Sequence, residues 1–156
     1  MEWVPTMIIK HYRPNVAALV KCGNLFVGCM RSHHPGWQSV QGGIDPTDES
    51  PEHAIFREME EELGVEKNNI KITYRSHYWR RYEFVSGNQR KGENYCGQEQ
   101  LWFVIEIPSA DAIQLAKASS DEFTEVKLMP ITELVQKYVT WKNLPFLDFC
   151  RELQLI

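Results

Sequence analysis

Four glutamates occupy residue 58 and residues 60–62 of the chain. On a helix, Glu58, Glu61 and Glu62 stand at positions i, i+3 and i+4, so their side chains share one face. Ionised carboxylates held this close repel one another and destabilise the fold unless a cation compensates their charge. A hard divalent cation such as Mg²⁺ or Mn²⁺ suits a set of carboxylate oxygens. Taken alone, a glutamate run is more typical of a solvated charged face.

The neighbouring residues predict a helix around these glutamates. Ser50 followed by Pro51 indicates its start, because a serine hydroxyl caps the first turn and proline loses no hydrogen bond at the first helical position. Gly64 indicates its end. Apolar residues recur at every fourth position between them and predict a stripe that packs on the core: Ile55, Met59 and Leu63.

The rest of the chain predicts an α/β fold in one domain, residues 1–156. Apolar runs and turn signals indicate strands at residues 14–20, 25–30, 37–40, 70–74, 101–107 and 126–129. Helices are expected at residues 132–138 and 146–153. Because strands come both before and after the central helix, a mixed sheet packed between helices is the natural arrangement.

Composition narrows the class of protein. The chain is 43% apolar and 24% charged, which is ordinary for a globular protein. It shows neither an apolar run near the length of a membrane span nor a signal-peptide pattern. Its four cysteines are scattered without a C-x-x-C pair, so a cytoplasmic location is expected. A net charge of −4 argues against an overall polyanion-binding surface but allows a local basic patch.

Residues 43–65 fit the pattern G-x5-E-x7-R-E-U-x-E-E-x-G-U, where U is apolar. Seven fixed residues would match by chance on the order of 10⁻⁸ of the time per start. They are Gly43, Glu49, Arg57, Glu58, Glu61, Glu62 and Gly64. The chain thus resembles the Nudix hydrolases. This resemblance implies an α/β/α sandwich with a central mixed sheet, a loop–helix–loop that binds Mg²⁺ or Mn²⁺, and hydrolysis of a nucleoside diphosphate linked to another group.

The resemblance also implies a role for each motif residue. Gly43 and Gly64 let the backbone enter and leave the helix. Arg57 is expected to pair with a motif carboxylate such as Glu49 and hold it in place. Metal ions in the motif would lower the pKa of a bound water and align it for attack on phosphorus. The implied metal ligands are Glu58, Glu61 and Glu62.

Further segments resemble one branch of the family, the bacterial RNA pyrophosphohydrolases and the similar dinucleoside polyphosphate hydrolases. These segments are residues 12–16, 37–38 with 41–45, 79 with 81–82, 97–100 with 102–103, and 141–142. The branch implies phosphate-binding arginines at Arg13 and Arg31. It implies that Trp141 stacks on the 5′ base and that Lys142 touches phosphate. Glu122 matches the acid that binds a metal or activates water. Ser39, Val40 and Asp121 depart from the usual pattern of the branch.

The segment from residue 75 to residue 91 combines cations with aromatic rings. Cations for phosphates and flat faces for bases suit a nucleotide-binding groove, with Tyr82 as a candidate substrate contact. The ordinary alternative is a solvated loop with core aromatics. The residues concerned are Arg75, Arg80, Arg81, Arg90 and Lys91, with Tyr78, Trp79, Tyr82 and Phe84.

Three functions remain open at this point. The first is a Mg²⁺-dependent pyrophosphohydrolase that removes pyrophosphate from the 5′-triphosphate end of RNA and leaves a 5′-monophosphate. The second is asymmetric hydrolysis of diadenosine tetraphosphate and related dinucleoside polyphosphates. The third, a non-catalytic nucleotide-binding module, predicts that the motif acids are lost, whereas all are present. The expected partner is the nucleotide substrate, with no membrane and no protein partner inferred.

Overall fold

The computed structural model describes residues 11–31, 34–84 and 94–156. Within these residues, eight strands and three α-helices follow one another. The strands are β1 (Tyr12–Cys22), β2 (Leu25–Arg31), β3 (His34–Gln38), β4 (Val40–Gly43), β5 (Lys71–Arg75), β6 (Arg80–Glu83), β7 (Gly97–Glu106) and β8 (Phe123–Met129). The helices are α1 (Pro51–Leu63), α2 (Ile131–Lys137) and α3 (Asn143–Glu152).

The strands form a mixed sheet, as predicted. Its main path runs β3-β2-β1-β7-β5, with β4 also paired to β1, β6 to β7 and β8 to β2. The pair β1 and β7 is parallel from Tyr12 opposite Gly97 to Lys21 opposite Glu106, and the other pairs are antiparallel. The predicted central strand, now β7, therefore lies between β1 and β5.

Side chains alternate between two cores on opposite faces of the sheet. On β1, Val16 and Ala18 pack with Ile55 and Met59 of α1, whereas Leu19 faces the core that contains residues of α2 and α3. Because side chains of a strand point alternately to opposite faces, one strand serves both cores. The result is the expected α/β/α sandwich.

Helix α1 begins and ends as the sequence predicted. The Ser50 side chain accepts a hydrogen bond from the backbone N–H of His53 at 3.1 Å. At the other end Gly64 has φ of 63°, in the left-handed region, where a side chain would also overlap the carbonyl oxygen of Gln114. Glycine at this position therefore lets the chain leave the helix.

Several predicted boundaries were wrong because polar residues take part in the sheet. Strand β7 begins at Gly97, four residues before its predicted start, and β6 lies within the segment between residues 75 and 98, for which the sequence predicted no strand. The predicted strand at residues 37–40 divides at Ser39, since β3 pairs with β2 and β4 pairs with β1. Within the described residues, every helix is too short or too polar to cross a membrane.

Candidate active site

A cavity of about 230 Å³ opens at the end of the sheet where β1 and β7 begin. Its lining combines acids from α1 and from the loop before β8 with cations from three separate elements. The acids are Glu58, Glu62 and Glu122, and the cations are Arg13, Arg31 and Lys142. Tyr82 lines the cavity as well. The fold therefore brings these seven sequence-predicted residues, together with Gly43 of the motif, into one space.

Helix α1 meets β4 closely at the cavity. Glu58 and Glu62 are both buried, and a side chain at Gly42 would overlap the Glu58 carboxylate. A side chain at Gly43 would likewise overlap the guanidinium of Arg13. The two consecutive glycines of β4 thus leave room for an acid from one side and a cation from the other.

The environment of these acids disfavours their charged forms. Burial raises the pKa of Glu58, and the Arg57 charge opposes that rise. Burial followed by the Glu58 charge raises the pKa of Glu62 well above its ordinary value, and Arg31 opposes this. The buried Oε2 atom of Glu62 has no hydrogen-bond partner in the described part of the chain. A bound cation would stabilise both carboxylates.

Arg57 donates hydrogen bonds to several groups of the motif. Its Nη1 donates to Glu58 Oε1 at 2.8 Å and to Glu61 Oε2 at 3.3 Å, and its Nη2 donates to the Gly43 carbonyl at 2.9 Å. The expected pairing of Arg57 with a motif carboxylate is therefore found for Glu58 and Glu61. The named example, Glu49, was wrong, because Asp48 occupies that place. Arg57 Nε and Nη2 donate to Asp48 Oδ1 and Oδ2 at 3.2 and 2.9 Å.

The loop that carries Glu122 is attached to the end of α1. The Ser120 N–H donates to the Glu61 carbonyl at 2.9 Å, and the Glu122 N–H donates to Ser120 Oγ at 3.2 Å. The Glu122 carboxylate then forms an ion pair with Arg31. These contacts place an acid that is about 60 residues away from the motif at the same cavity.

Lys142 reaches the cavity from the short turn before α3. It is buried, and its Nζ donates to the Gln38 side-chain oxygen. Burial and the nearby Arg31 charge lower the pKa of Lys142 to about 7. The Trp141 side chain lies outside the described part of the structure, so its predicted stacking stays a prediction.

Amide side chains to which the sequence assigned no role connect β1 and β7 at the cavity, and two of them, Asn15 and Gln100, are buried. Asn15 donates to Gln98 at 2.7 Å, and Gln100 donates to Asn15 at 3.0 Å and to Gln41 at 2.6 Å. The signal was present in the sequence, since Asn15, Gln98 and Gln100 precede apolar strand runs at alternating positions. Asn15, Gln41 and Gln98 line the cavity and fix its polar wall.

The predicted basic groove at residues 75–91 was largely wrong. Arg80 is buried against α3, where it binds Asp148 and Glu152. Arg75 pairs with Glu52, and Arg81 pairs with Glu99 at 3.4 Å. Tyr82 and Phe84 do line the cavity, and Arg90 and Lys91 lie outside the described residues. Most of the described cations in this segment are therefore engaged with the protein's own acids.

Comparison with known proteins decides the family. A family model for the NUDIX domain matches residues 11–150. The chain belongs to the Nudix family. An RNA pyrophosphohydrolase of Helicobacter pylori is 34% identical over 143 residues, which cover 88% of this chain and 90% of the relative. An RNA pyrophosphohydrolase of a Nitratiruptor species is 35% identical over 142 residues, 87% of this chain and 88% of the relative.

Solved structures share the same Nudix fold at lower sequence identity. The Escherichia coli dihydroneopterin triphosphate pyrophosphohydrolase matches with a TM-score of 0.70 at 18% identity, covering 86% of this chain and 92% of that one. A Caenorhabditis elegans Ap4A hydrolase matches with a TM-score of 0.60 at 19% identity, covering 80% and 85%. These likenesses support the fold of the described chain.

Nudix hydrolases generally use divalent metal ions, and the donor set of this domain suits one. The acids offer carboxylate oxygens alone, and Glu62 Oε2 is buried without a donor. In the described residues, three or more His, Cys, Asp or Glu side chains do not converge into a preformed metal cluster. The carboxylates face protein cations instead, Glu58 and Glu61 toward Arg57 and Glu122 toward Arg31.

Proposed function

We propose that this Nudix domain is an RNA pyrophosphohydrolase that converts a 5′-triphosphate end to a 5′-monophosphate. One observation carries the proposal: three carboxylates, three cations and a tyrosine ring line the same cavity. Cations bind the phosphates, and carboxylates assemble the hydrolytic chemistry. The two relatives named RNA pyrophosphohydrolase align with nearly nine-tenths of this chain and of their own, which supports RNA as the substrate.

The cations of the cavity would bind the polyphosphate. Arg13 and Arg31 can each present two parallel N–H groups to phosphate oxygens. Lys142 is buried beside Gln38. A bound phosphate would favour its protonated form, because a nearby anion stabilises the ammonium charge. Tyr82 on β6 and Trp141 before α3 are the proposed contacts for the first nucleotide.

The acids would hold the metal and activate water. Glu58, Glu61, Glu62 and Glu122 are the proposed ligands of Mg²⁺ or Mn²⁺, which when bound lowers the pKa of water and neutralises phosphate charge. Arg31 pairs with Glu122, so a phosphate that engages Arg31 leaves the Glu122 carboxylate able to orient or deprotonate the attacking water. The bond between the α- and β-phosphates breaks, pyrophosphate leaves, and the 5′-monophosphate remains.

Replacing Glu62 by glutamine tests the metal role. The change removes a carboxylate that a metal ion would bind and keeps the side-chain shape. We expect turnover of triphosphorylated RNA to fall by several orders of magnitude because the activated water is lost. The matched control is Glu60→Gln, which makes the same change on the exposed side of the same helix. Turnover of Glu62→Gln equal to that of Glu60→Gln would contradict the proposal.

A side-by-side assay tests the substrate. Triphosphorylated RNA and diadenosine tetraphosphate both carry a base, a ribose and a polyphosphate, so the same residues can bind either. We expect a higher kcat/KM with Mg²⁺ for the RNA. A higher value for diadenosine tetraphosphate would make the dinucleoside polyphosphate the substrate and would leave the metal chemistry intact.

A further inference from the structure

Two adjacent acids, Asp48 and Glu49, precede α1, and the structure treats them differently. The family pattern places its fixed carboxylate at Glu49, which is exposed here. Asp48 is one residue earlier, and its side chain is 0% exposed. The acid that is buried against the motif is therefore not the one at the pattern position.

Asp48 is built into a fixed geometry. Its carboxylate accepts two parallel hydrogen bonds from Arg57, at 3.2 and 2.9 Å, the strong bidentate arrangement. Oδ2 also accepts the backbone N–H of Asp45 at 2.8 Å, and Oδ1 lies 3.1 Å from His53 Nδ1. The hydrogen bonds from Arg57 lower the pKa of Asp48, so the carboxylate stays charged at neutral pH.

Asp48 influences two acids of α1, Glu58 and Glu61, through its contact with Arg57. With Nε and Nη2 on Asp48, the guanidinium plane is fixed and Nη1 points to Glu58 and Glu61. The hydrogen bonds to Asp48 are also the largest cause that raises the pKa of Arg57, so they favour its charged form. Without Asp48, the remaining carboxylate partners of Arg57 would be Asp45, Glu58 and Glu61. A guanidinium that Asp48 no longer fixed would compete more strongly with a metal ion for Glu58 and Glu61.

We propose that Asp48, rather than Glu49, is the positioning residue that holds Arg57 against the acids of α1. It acts on the metal ligands through Arg57 and touches neither substrate nor metal. The proposal deepens the proposed function and rests on it for the kinetic consequences. The contact between Asp48 and Arg57 is independent of that function and can be tested separately.

The test compares Asp48→Asn with Glu49→Gln, and uses Asp111→Asn as an exposed control for the aspartate-to-asparagine change. We expect Asp48→Asn to lower kcat for triphosphorylated RNA about 10- to 100-fold and to weaken Mn²⁺ binding by a similar factor. Mn²⁺ binding is measured by calorimetry without substrate. KM for the RNA should change by less than about two-fold, because the phosphate-binding cations are untouched. Glu49→Gln and Asp111→Asn should match the wild type.

A structural readout keeps the test independent of activity. The Arg57 Nε–H signal in ¹⁵N-NMR spectra should be protected from exchange in the wild type and in Glu49→Gln, and lost or shifted in Asp48→Asn. Loss of the signal or of activity in Glu49→Gln would overturn the proposal, even if Asp48→Asn did not fold. A wild type that neither binds Mn²⁺ nor hydrolyses RNA would overturn the proposed function, while the NMR comparison would still decide the role of Asp48.

Discussion

The buried ion pair of Arg80 allows a quantitative test of the fold beside the site. The Arg80 side chain is 4% exposed and donates to Asp148 and Glu152, both at 2.8 Å, and to Ser76 at 2.6 Å. It also lies over the rings of Tyr78 and Phe149. Arg80 thus attaches the start of β6 to α3, and we choose Arg80→Met because methionine keeps most of the packing and removes every donor.

The expected loss follows from the exposure of each acceptor. A hydrogen bond to a charged group contributes about 1.5–3 kcal/mol when it is buried, which applies to Glu152. Asp148 is 51% exposed, so water screens its pair, which contributes at most about 1 kcal/mol. Glu152 keeps hydrogen bonds from Tyr74 and Ser76 after the change. We therefore expect Arg80→Met to lower the free energy of unfolding by about 3 kcal/mol.

Urea and thermal unfolding measure this effect. A loss of about 3 kcal/mol corresponds to a fall in Tm of about 6–12 °C for a domain of this size. The matched control is Arg81→Met, the same substitution on the next residue, which is 59% exposed and pairs with Glu99 at 3.4 Å. The control should lose less than about 1 kcal/mol. Equal losses in both variants would refute the reasoning from burial.

The same variant has a pH signature. Hydrogen bonds from Arg80 lower the pKa of Asp148. Burial acts to raise the pKa of Glu152, but hydrogen bonds from Arg80, Tyr74 and Ser76 outweigh it, so the pKa of Glu152 is lowered as well. A carboxyl whose pKa is lower in the folded state stabilises the fold above its unfolded pKa and loses that contribution as pH falls. The wild type should therefore lose stability faster than Arg80→Met below about pH 4.5.

Two further predictions concern the cavity. Gly42→Ala should displace the Glu58 carboxylate and therefore lower kcat. The control Gly28→Ala, whose side chain would meet core residues such as Met129, should lower stability without altering the kcat of the folded enzyme. Similar kcat values for the two variants would contradict the steric argument. Burial lowers the pKa of Lys142 to about 7, so the unfolded chain holds that proton to higher pH than the folded one. In metal-free buffer, we therefore expect the free energy of unfolding of the wild type, minus that of Lys142→Met, to rise between about pH 7 and pH 9. The rise should be up to about 1.4 kcal/mol per pH unit. A difference that does not change with pH in urea unfolding would contradict this.

The spacing of residues along the sequence was enough to predict the ends of α1, the central sheet and the family. Ser50, Pro51 and Gly64 set the ends of α1 because caps and left-handed glycines act within one or two turns. The continuous apolar runs of β1 and β7 indicated buried strands, and their side chains serve the cores on both faces of the sheet. The motif from Gly43 to Val65 identified the family, and its acids are close in space since they lie on one short helix.

Only the tertiary structure decided which charged groups meet. Arg80 binds two acids of α3 and does not line a substrate groove. The sequence could not show this, because the two acceptors lie 68 and 72 residues away along the chain. Asn15 meets Gln100 through the parallel register of β1 and β7, and Arg31 meets Glu122 where β2 pairs with β8. Asp48 displaced Glu49 because the direction of the loop, not the count of residues, set which carboxylate faces Arg57. An ion pair depends on the positions of both partners, and spacing along the chain specifies those positions only when the partners share one element.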